Sequence, residues 1–237
     1  MKVYYRFSFN NMPNHDGTPR KLPNRPGWFD KWRCLENFTN VFSKHDITVV
    51  ADGVSDETYT RLETEYPSVN LRRTTFGSNA GSFLYCLDEA VTLDPHATVY
   101  FVEDDYVHHE DAAVILEQGL ALSPYVSLYD HPDKYWGSNI DKPCQLIMTE
   151  DCHWRTTGST TMTFASKAMF LADDRAVFQQ WCGGEDRWTH DFQLFSELSA
   201  NRGLITPVPG YATHLDTWVI ARMVDWRSCL DRTSHNP

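Results

Sequence analysis

The sequence predicts an α/β fold with a mostly parallel central sheet, and three observations carry that expectation. Strand-like and helix-like segments alternate through the first hundred residues, which is the pattern of βαβ units. Two short, nearly continuous apolar runs, 46–51 and 98–102, read as strands buried on both faces. Both runs stop on acidic residues, Asp52 and Glu103, at the strand ends where open parallel sheets bind their ligands.

In order along the chain, residues 3–9 are rich in aromatic and β-branched side chains and form a first strand. Residues 10–28, crowded with Asn, Pro and Gly, form a long loop. From Phe29, apolar side chains recur at Trp32, Leu35, Phe38 and Phe42, a spacing that puts them on one side of a helix. After the 46–51 strand come a helix at 58–66, an extended segment at 69–74 and a helix at 80–93. The last of these carries Phe83, Leu84, Leu87 and Val91 on one face. Beyond the 98–102 strand the pattern loosens. A helix is expected at 111–122, a strand at 125–129, no periodic element over 131–158, a strand at 160–165 and one helix at 167–181. A helix at 190–201 closes on Gly203, and residues 204–208 are strand-like. No repeat or linker divides the chain, so a single domain over 1–237 is expected.

With 237 residues and 41% hydrophobic content, the chain is long enough to bury a sizeable core. Its 32 acidic against 21 basic residues give a net charge of -11, which repels polyanions and makes nucleic acid a disfavoured partner. The one basic concentration is Arg20, Lys21, Arg25, Lys31 and Arg33, either a solvated surface or a contact for an anion. Six cysteines without a CxxC pair suggest reduced thiols in a cytoplasmic setting. No leader pattern and no run of about 18 apolar residues is present, so no membrane span is expected.

Glu103, Asp104 and Asp105 follow directly on a buried strand. Three adjacent carboxylates repel one another unless a proton or a cation relieves them, and a hard divalent ion is a natural candidate. Alternate strand residues share a face, so Glu103 and Asp105 can converge while Asp104 points elsewhere. A solvated acidic turn is the plainer alternative. Tyr135, Trp136 and Trp154 suit either stacking on a sugar or core packing.

The segments 49–57, with Asp52-Gly53, 76–82, with Asn79-Ala80-Gly81, and 102–105 resemble, in order and spacing, the nucleotide-binding half of GT-A fold glycosyltransferases, especially the large inverting family 2. The resemblance implies a Rossmann-like GT-A domain in which 1–110 hold a nucleotide-sugar and 111–237 hold the acceptor. It implies that Asp52 contacts the base, that Asn79 and Gly81 lie near the nucleoside, and that Glu103-x-Asp105 binds Mn²⁺ or Mg²⁺ with the sugar-diphosphate. Asp104 belongs with these donor-binding residues, and Glu103 stands where the family has Asp.

A weaker likeness links 189–194 and 201–203 to the family's Glu-Asp segment, in which Asp191 would act as general base, with His190 in place of the usual Glu. Gly183-Gly184-Glu185-Asp186 is a competing match that keeps Asp186 and Glu185 as alternates. His214 lies where such enzymes often supply a further metal ligand. The implied function is metal-dependent transfer of a sugar from a nucleotide-diphosphate sugar, UDP-linked by this likeness, to a hydroxyl of a glycan, protein or small molecule, with inversion. For Asp191 a simple helix-start charge is the plainer role, and for His214 a structural histidine.

Other classes stay open. A glycoside hydrolase would use two carboxylates without a metal or nucleotide pocket. A nucleotidyltransferase would show a Gly-rich basic loop after the first strand, which residues 8–11 lack. A non-catalytic nucleotide- or sugar-binding module would keep the fold without turnover.

Overall fold

The computed structural model describes residues 1–9, 24–136, 140 and 143–233. The expected 10–28 loop lies outside the described residues up to residue 23, and Arg20 and Lys21 with it.

The first half follows the predicted alternation. Strand β1 (Lys2–Phe7) leads to helix α1 (Lys31–Val41), then β2 (Asp46–Asp52), α2 (Asp56–Glu65), β3 (Asn70–Thr74), α3 (Asn79–Ala90) and β4 (Thr98–Glu103). Each helix starts on a side chain that satisfies a free backbone N–H. Asp30 accepts from Arg33 N, Ser55 from Thr58 N and Ser78 from Gly81 N. The second half continues through β5 (Tyr106–His108), α4 (Ala112–Leu122), β6 (Tyr125–Val126), β7 (Leu146–Met148), β8 (His153–Thr156) and β9 (Phe164–Lys167). It ends with α5 (Ala168–Asp173), α6 (Arg175–Cys182), α7 (Asp191–Arg202), β10 (Leu204–Val208), β11 (Ala212–His214) and α8 (Trp226–Thr233).

Among the described residues, nine strands form one sheet in the order β3-β2-β1-β4-β9-β6-β10-β8-β7, while β5 and β11 pair separately. Strands β1 to β4 pair in parallel with one another, and β9 and β8 run against their neighbours. Alternate residues of β1 go to opposite faces. Val3, Tyr5 and Phe7 join a core with Leu35, Phe38, Leu116 and Leu230, whereas Tyr4 joins one with Phe83, Phe178 and Phe195. Helices therefore cover both faces, which explains why the middles of β2 and β4 are buried and almost wholly apolar.

Three expectations shift. The strand expected at 160–165 begins only at Phe164, because the hydroxyls before it are used sideways: Thr160 bonds Ser127, Thr161 bonds Tyr106, and Thr163 accepts from Glu103 N. The expected 167–181 helix breaks at Asp174, whose carboxylate is held by Arg202 Nε at 2.9 Å and Tyr125 OH at 2.7 Å. The aperiodic 131–158 stretch contains β7 and β8, and Trp154 is fully buried against Gly119 and so belongs to the core. All six cysteines are free thiols. Among the described residues, no helix is long and apolar enough to cross a membrane.

Candidate functional site

The carboxyl ends of β1, β2 and β4 meet at one edge of the sheet, in the register Arg6 to Val50 and Arg6 to Glu103. Asp52, at the end of β2, is buried and spends both oxygens on the turn that follows β3. Oδ1 accepts from Phe76 N at 2.6 Å and Thr74 Oγ1 at 2.9 Å, and Oδ2 accepts from Gly77 N at 2.8 Å. Gly77 sits at φ 60°, a conformation that favours glycine. Gly81 is equally constrained, since an added Cβ would stand 2.8 Å from Ser78 Oγ and 2.9 Å from Phe76 Cβ. Asp52 and Gly81 thus shape the Phe76–Ser78 turn against α3, while Asn79 donates to Glu103 Oε1 at 3.0 Å.

Each carboxylate of the 103–105 triplet has a basic partner of its own. Arg6 lies 3.4 Å from Glu103 and also bonds the Asn79 side chain. Lys31 lies 2.8 Å from Asp104, which accepts Ser8 N at 2.7 Å as well. Arg25 lies 2.6 Å from Asp105. Antiparallel pairing of β5 with β11 sets His214 opposite Tyr106, and this brings His214 Nε2 to 2.9 Å from Asp105 Oδ2. Burial pushes the Asp105 carboxyl up, but His214 and Arg25 outweigh it and hold the group well below the usual carboxylate range. For His214, burial works against the charge, yet Asp105 and Glu103 raise its pKa overall. Burial and the Asp105 charge raise Asp104.

A divalent ion needs its ligands turned toward one point. Of the expected set, the structure joins Asp105 to His214 and turns Glu103 to Arg6 and Asn79. Among the described residues, no group of three or more His, Cys, Asp or Glu side chains is arranged to hold a metal. As they stand, these side chains do not fit one.

Asp191 opens α7 and lines a cavity of about 370 Å³ with His131, Asp133, Lys134, Ser159, Thr160, Thr161 and Phe192. Burial, and then the neighbouring Glu103, raise its pKa to about 6. The cavity's polar wall is held in place. Lys134 Nζ donates to Ser159 Oγ at 2.5 Å, and His131 Nδ1 stands 2.6 Å from Asp133 Oδ1. Asp130, just before, is clamped by Arg155 at 3.0 Å and Tyr135 OH at 2.6 Å. Asp186 bonds His190 Nε2 at 2.7 Å, and Glu185 is exposed; neither lines this cavity.

Sequence reasoning missed Arg6 and the 131–134 and 159–161 walls. Arg6 left a usable signal: a lone basic residue near the end of the first strand faces Glu103 once β1 and β4 pair in parallel. The walls left none, because their residues come from separate segments without a period.

No family model matches the chain, and no curated protein matches it. Similar solved structures exist at low identity. One is a 4-diphosphocytidyl-2C-methyl-D-erythritol synthase from Anaerococcus prevotii, 12% identical, with TM-score 0.50 over 98% of this chain and 95% of that one. Another is HddC from Yersinia pseudotuberculosis, 9% identical, with TM-score 0.51 over 91% of this chain and 93% of that one. A third is the 1–349 portion of TarS from S. aureus, 13% identical and TM-score 0.50, where 87% of this chain matches 58% of that one. At these identities the likeness is one of architecture: the chain has a Rossmann-like α/β fold with a mostly parallel sheet, of the kind those structures share.

Proposed function

We propose that the chain is a glycosyltransferase that holds a nucleotide-diphosphate sugar at the carboxyl ends of β1, β2 and β4 and passes the sugar to a hydroxyl in the Asp191 cavity. The observation that supports this most is Asp191 itself, a carboxylate with a pKa raised to about 6 on a polar cavity wall, within electrostatic reach of Glu103. A base with a pKa near the working pH is suited to take a proton from an attacking hydroxyl. The acceptor oxygen attacks the anomeric carbon, and the bond from that carbon to the diphosphate breaks with its electron pair going to the leaving group. Asp191 receives the hydroxyl proton. Attack from the side opposite the diphosphate inverts the anomeric centre, and a UDP-sugar is the donor to try first.

On this reading the cavity is the acceptor's, since every described residue lining it comes from beyond position 130. Phe192, half exposed on its rim, offers a ring face for a sugar. Asp52 and Gly81 serve the donor through the turn they shape, and Asn79 through its bond to Glu103.

Nucleotidyl transfer is the second reading, because one similar fold is a diphosphocytidyl synthase. A triphosphate carries more negative charge than the donor's diphosphate and so asks more of nearby cations, whereas Arg6, Lys31 and Arg25 are engaged by the triplet. The deciding experiment offers the chain UDP-sugars with glycan acceptors in one arm, and nucleoside triphosphates with sugar 1-phosphates in the other. Sugar transfer in the first arm supports glycosyl transfer. Pyrophosphate release confined to the second overturns it.

A further inference from the structure

The acidic triplet requires positive charge nearby, and the chain supplies it from three of its own side chains, Arg6, Lys31 and Arg25. Of these, Arg25 shares its carboxylate oxygen with an imidazole, as both Arg25 Nη2 and His214 Nε2 meet Asp105 Oδ2. A carboxylate and an imidazole meeting at one point are the oxygen and nitrogen donors that suit a first-row divalent ion. Here a guanidinium stands against them instead, and it is seated firmly. Its Nη1 donates to Leu215 O at 2.6 Å, and the group lies 4.7 Å from the centre of the Phe29 ring. The preceding residue is held too, since Thr217 N donates to Asn24 O at 2.7 Å. The second oxygen of Asp105, Oδ1, is buried with no hydrogen-bond partner among the described residues.

We propose that Arg25 is the built-in cation of this site, holding against Asp105 and His214 the place a divalent ion would take, so that Arg25 and such an ion exclude one another. Metal–oxygen bonds of roughly 2.0–2.2 Å to Asp105 leave no room for a guanidinium on the same oxygen, and two cations there repel. The wild-type chain accordingly binds few divalent ions at this corner. Its affinity for a nucleotide-sugar is the same in Mn²⁺ and in EDTA, a consequence that rests on the function proposed above. Arg25, and not the metal expected from the sequence, then relieves the charge of Asp105.

The test is an EPR titration of the full chain with Mn²⁺, without nucleotide, comparing wild type with Arg25→Ala and Arg25→Met. The methionine keeps an apolar stem against Phe29. Removing the resident cation should create one Mn²⁺ site per chain, with affinity about tenfold to a hundredfold above wild type, the worth of a charged hydrogen bond. Adding Asp105→Asn should abolish the gain. Unchanged affinity in the Arg25 variants overturns the proposal. So does a wild-type chain that already binds one Mn²⁺ tightly at a site lost in Asp105→Asn, a measurement that needs neither Arg25 variant to fold. The titration contains no nucleotide, so a chain that gains Mn²⁺ in Arg25→Met yet binds no nucleotide-sugar sinks the glycosyl-transfer reading alone.

Discussion

Glu103, Asp104 and Asp105 each lie against a basic side chain, whereas Asp191 is capped by Phe192 N at 2.9 Å and feels the charge of a second acid, Glu103. The consequences for Asp105 and Asp191 are opposite. Paired with Arg25 and His214, Asp105 is held well below the usual carboxylate range, while burial and Glu103 bring Asp191 to about 6. A carboxylate such as Asp105, held by two cationic partners that outweigh its burial, can shape and hold a site but is a poor proton acceptor. One left without a cation keeps an affinity for protons near neutral pH. Under the proposed function, the comparison assigns a structural and binding role to the end of β4 and a chemical role to the start of α7.

The sharpest way to break that division is Asp191→Asn. The amide keeps the size and can still sit at a helix start, but it cannot accept the proton. Transfer should fall about 10²–10⁴-fold, while donor affinity measured by calorimetry and the melting temperature stay near wild type. Transfer close to wild type would return Asp191 to a plain helix-start charge and turn attention to Asp186 and Glu185.

A pH profile sharpens the same point. Only ionised Asp191 can act as a base, and its pKa of about 6 lies above the ordinary carboxylate value. The rate at low acceptor concentration should therefore be level above about pH 7 and drop roughly tenfold per unit below pH 6. Asp191→Asn should flatten that limb. A limb near pH 4 in the wild type would contradict a partly buried, acid-facing Asp191.

The division between the two acidic regions was only half legible in the sequence. The β4 run and its acidic end stand out because a fully buried strand must be apolar and must stop where charge begins. The helices of the first half announce themselves by spacing, as with Phe83, Leu84, Leu87 and Val91 on one face of the helix expected at 80–93, whereas the caps at Ser55 and Ser78 were seen only in the structure. The partners of the acids were harder to read. Arg25 and Lys31 were visible as a basic concentration suited to an external anion, yet the anions they meet are Asp105 and Asp104. Strands β5 and β11, three residues each, are too short for any period, although their pairing carries His214 to Asp105. The cavity walls depend on tertiary clamps such as Asp130–Arg155, which leave no local pattern.

Asp105→Ala tests the other side of the comparison. If the triplet were held in mutual repulsion, removing a charge would stabilise the fold or leave it alone. With Arg25 and His214 both bonded to Asp105, the substitution strands two partly buried cations and should cost about 1–3 kcal/mol. In a chain of this size that is a fall in melting temperature of roughly 2–12 °C, readable by calorimetry at pH 7. An unchanged or raised melting temperature would mean that the pairs contribute nothing and that repulsion dominates.

The smallest expected effect comes from Phe192, and it asks whose cavity Asp191 faces. The ring is 50% exposed, follows Asp191 directly and has Lys134 Nζ 5.8 Å from its centre. It lines the cavity but is not among the buried core residues, so Phe192→Ala should leave the melting temperature nearly unchanged. If an acceptor sugar stacks on it, losing the ring removes about 0.5–1.5 kcal/mol of binding, or roughly a two- to twelvefold rise in acceptor KM. Because the ring touches neither the anomeric carbon nor the proton in flight, kcat should hold, and donor affinity should hold with it. A rise in donor Kd with acceptor KM unchanged would place the donor on the α7 side of the cleft. Asp191 would then stand beside the leaving group and not beside the attacking hydroxyl, and its proton would be given, not taken.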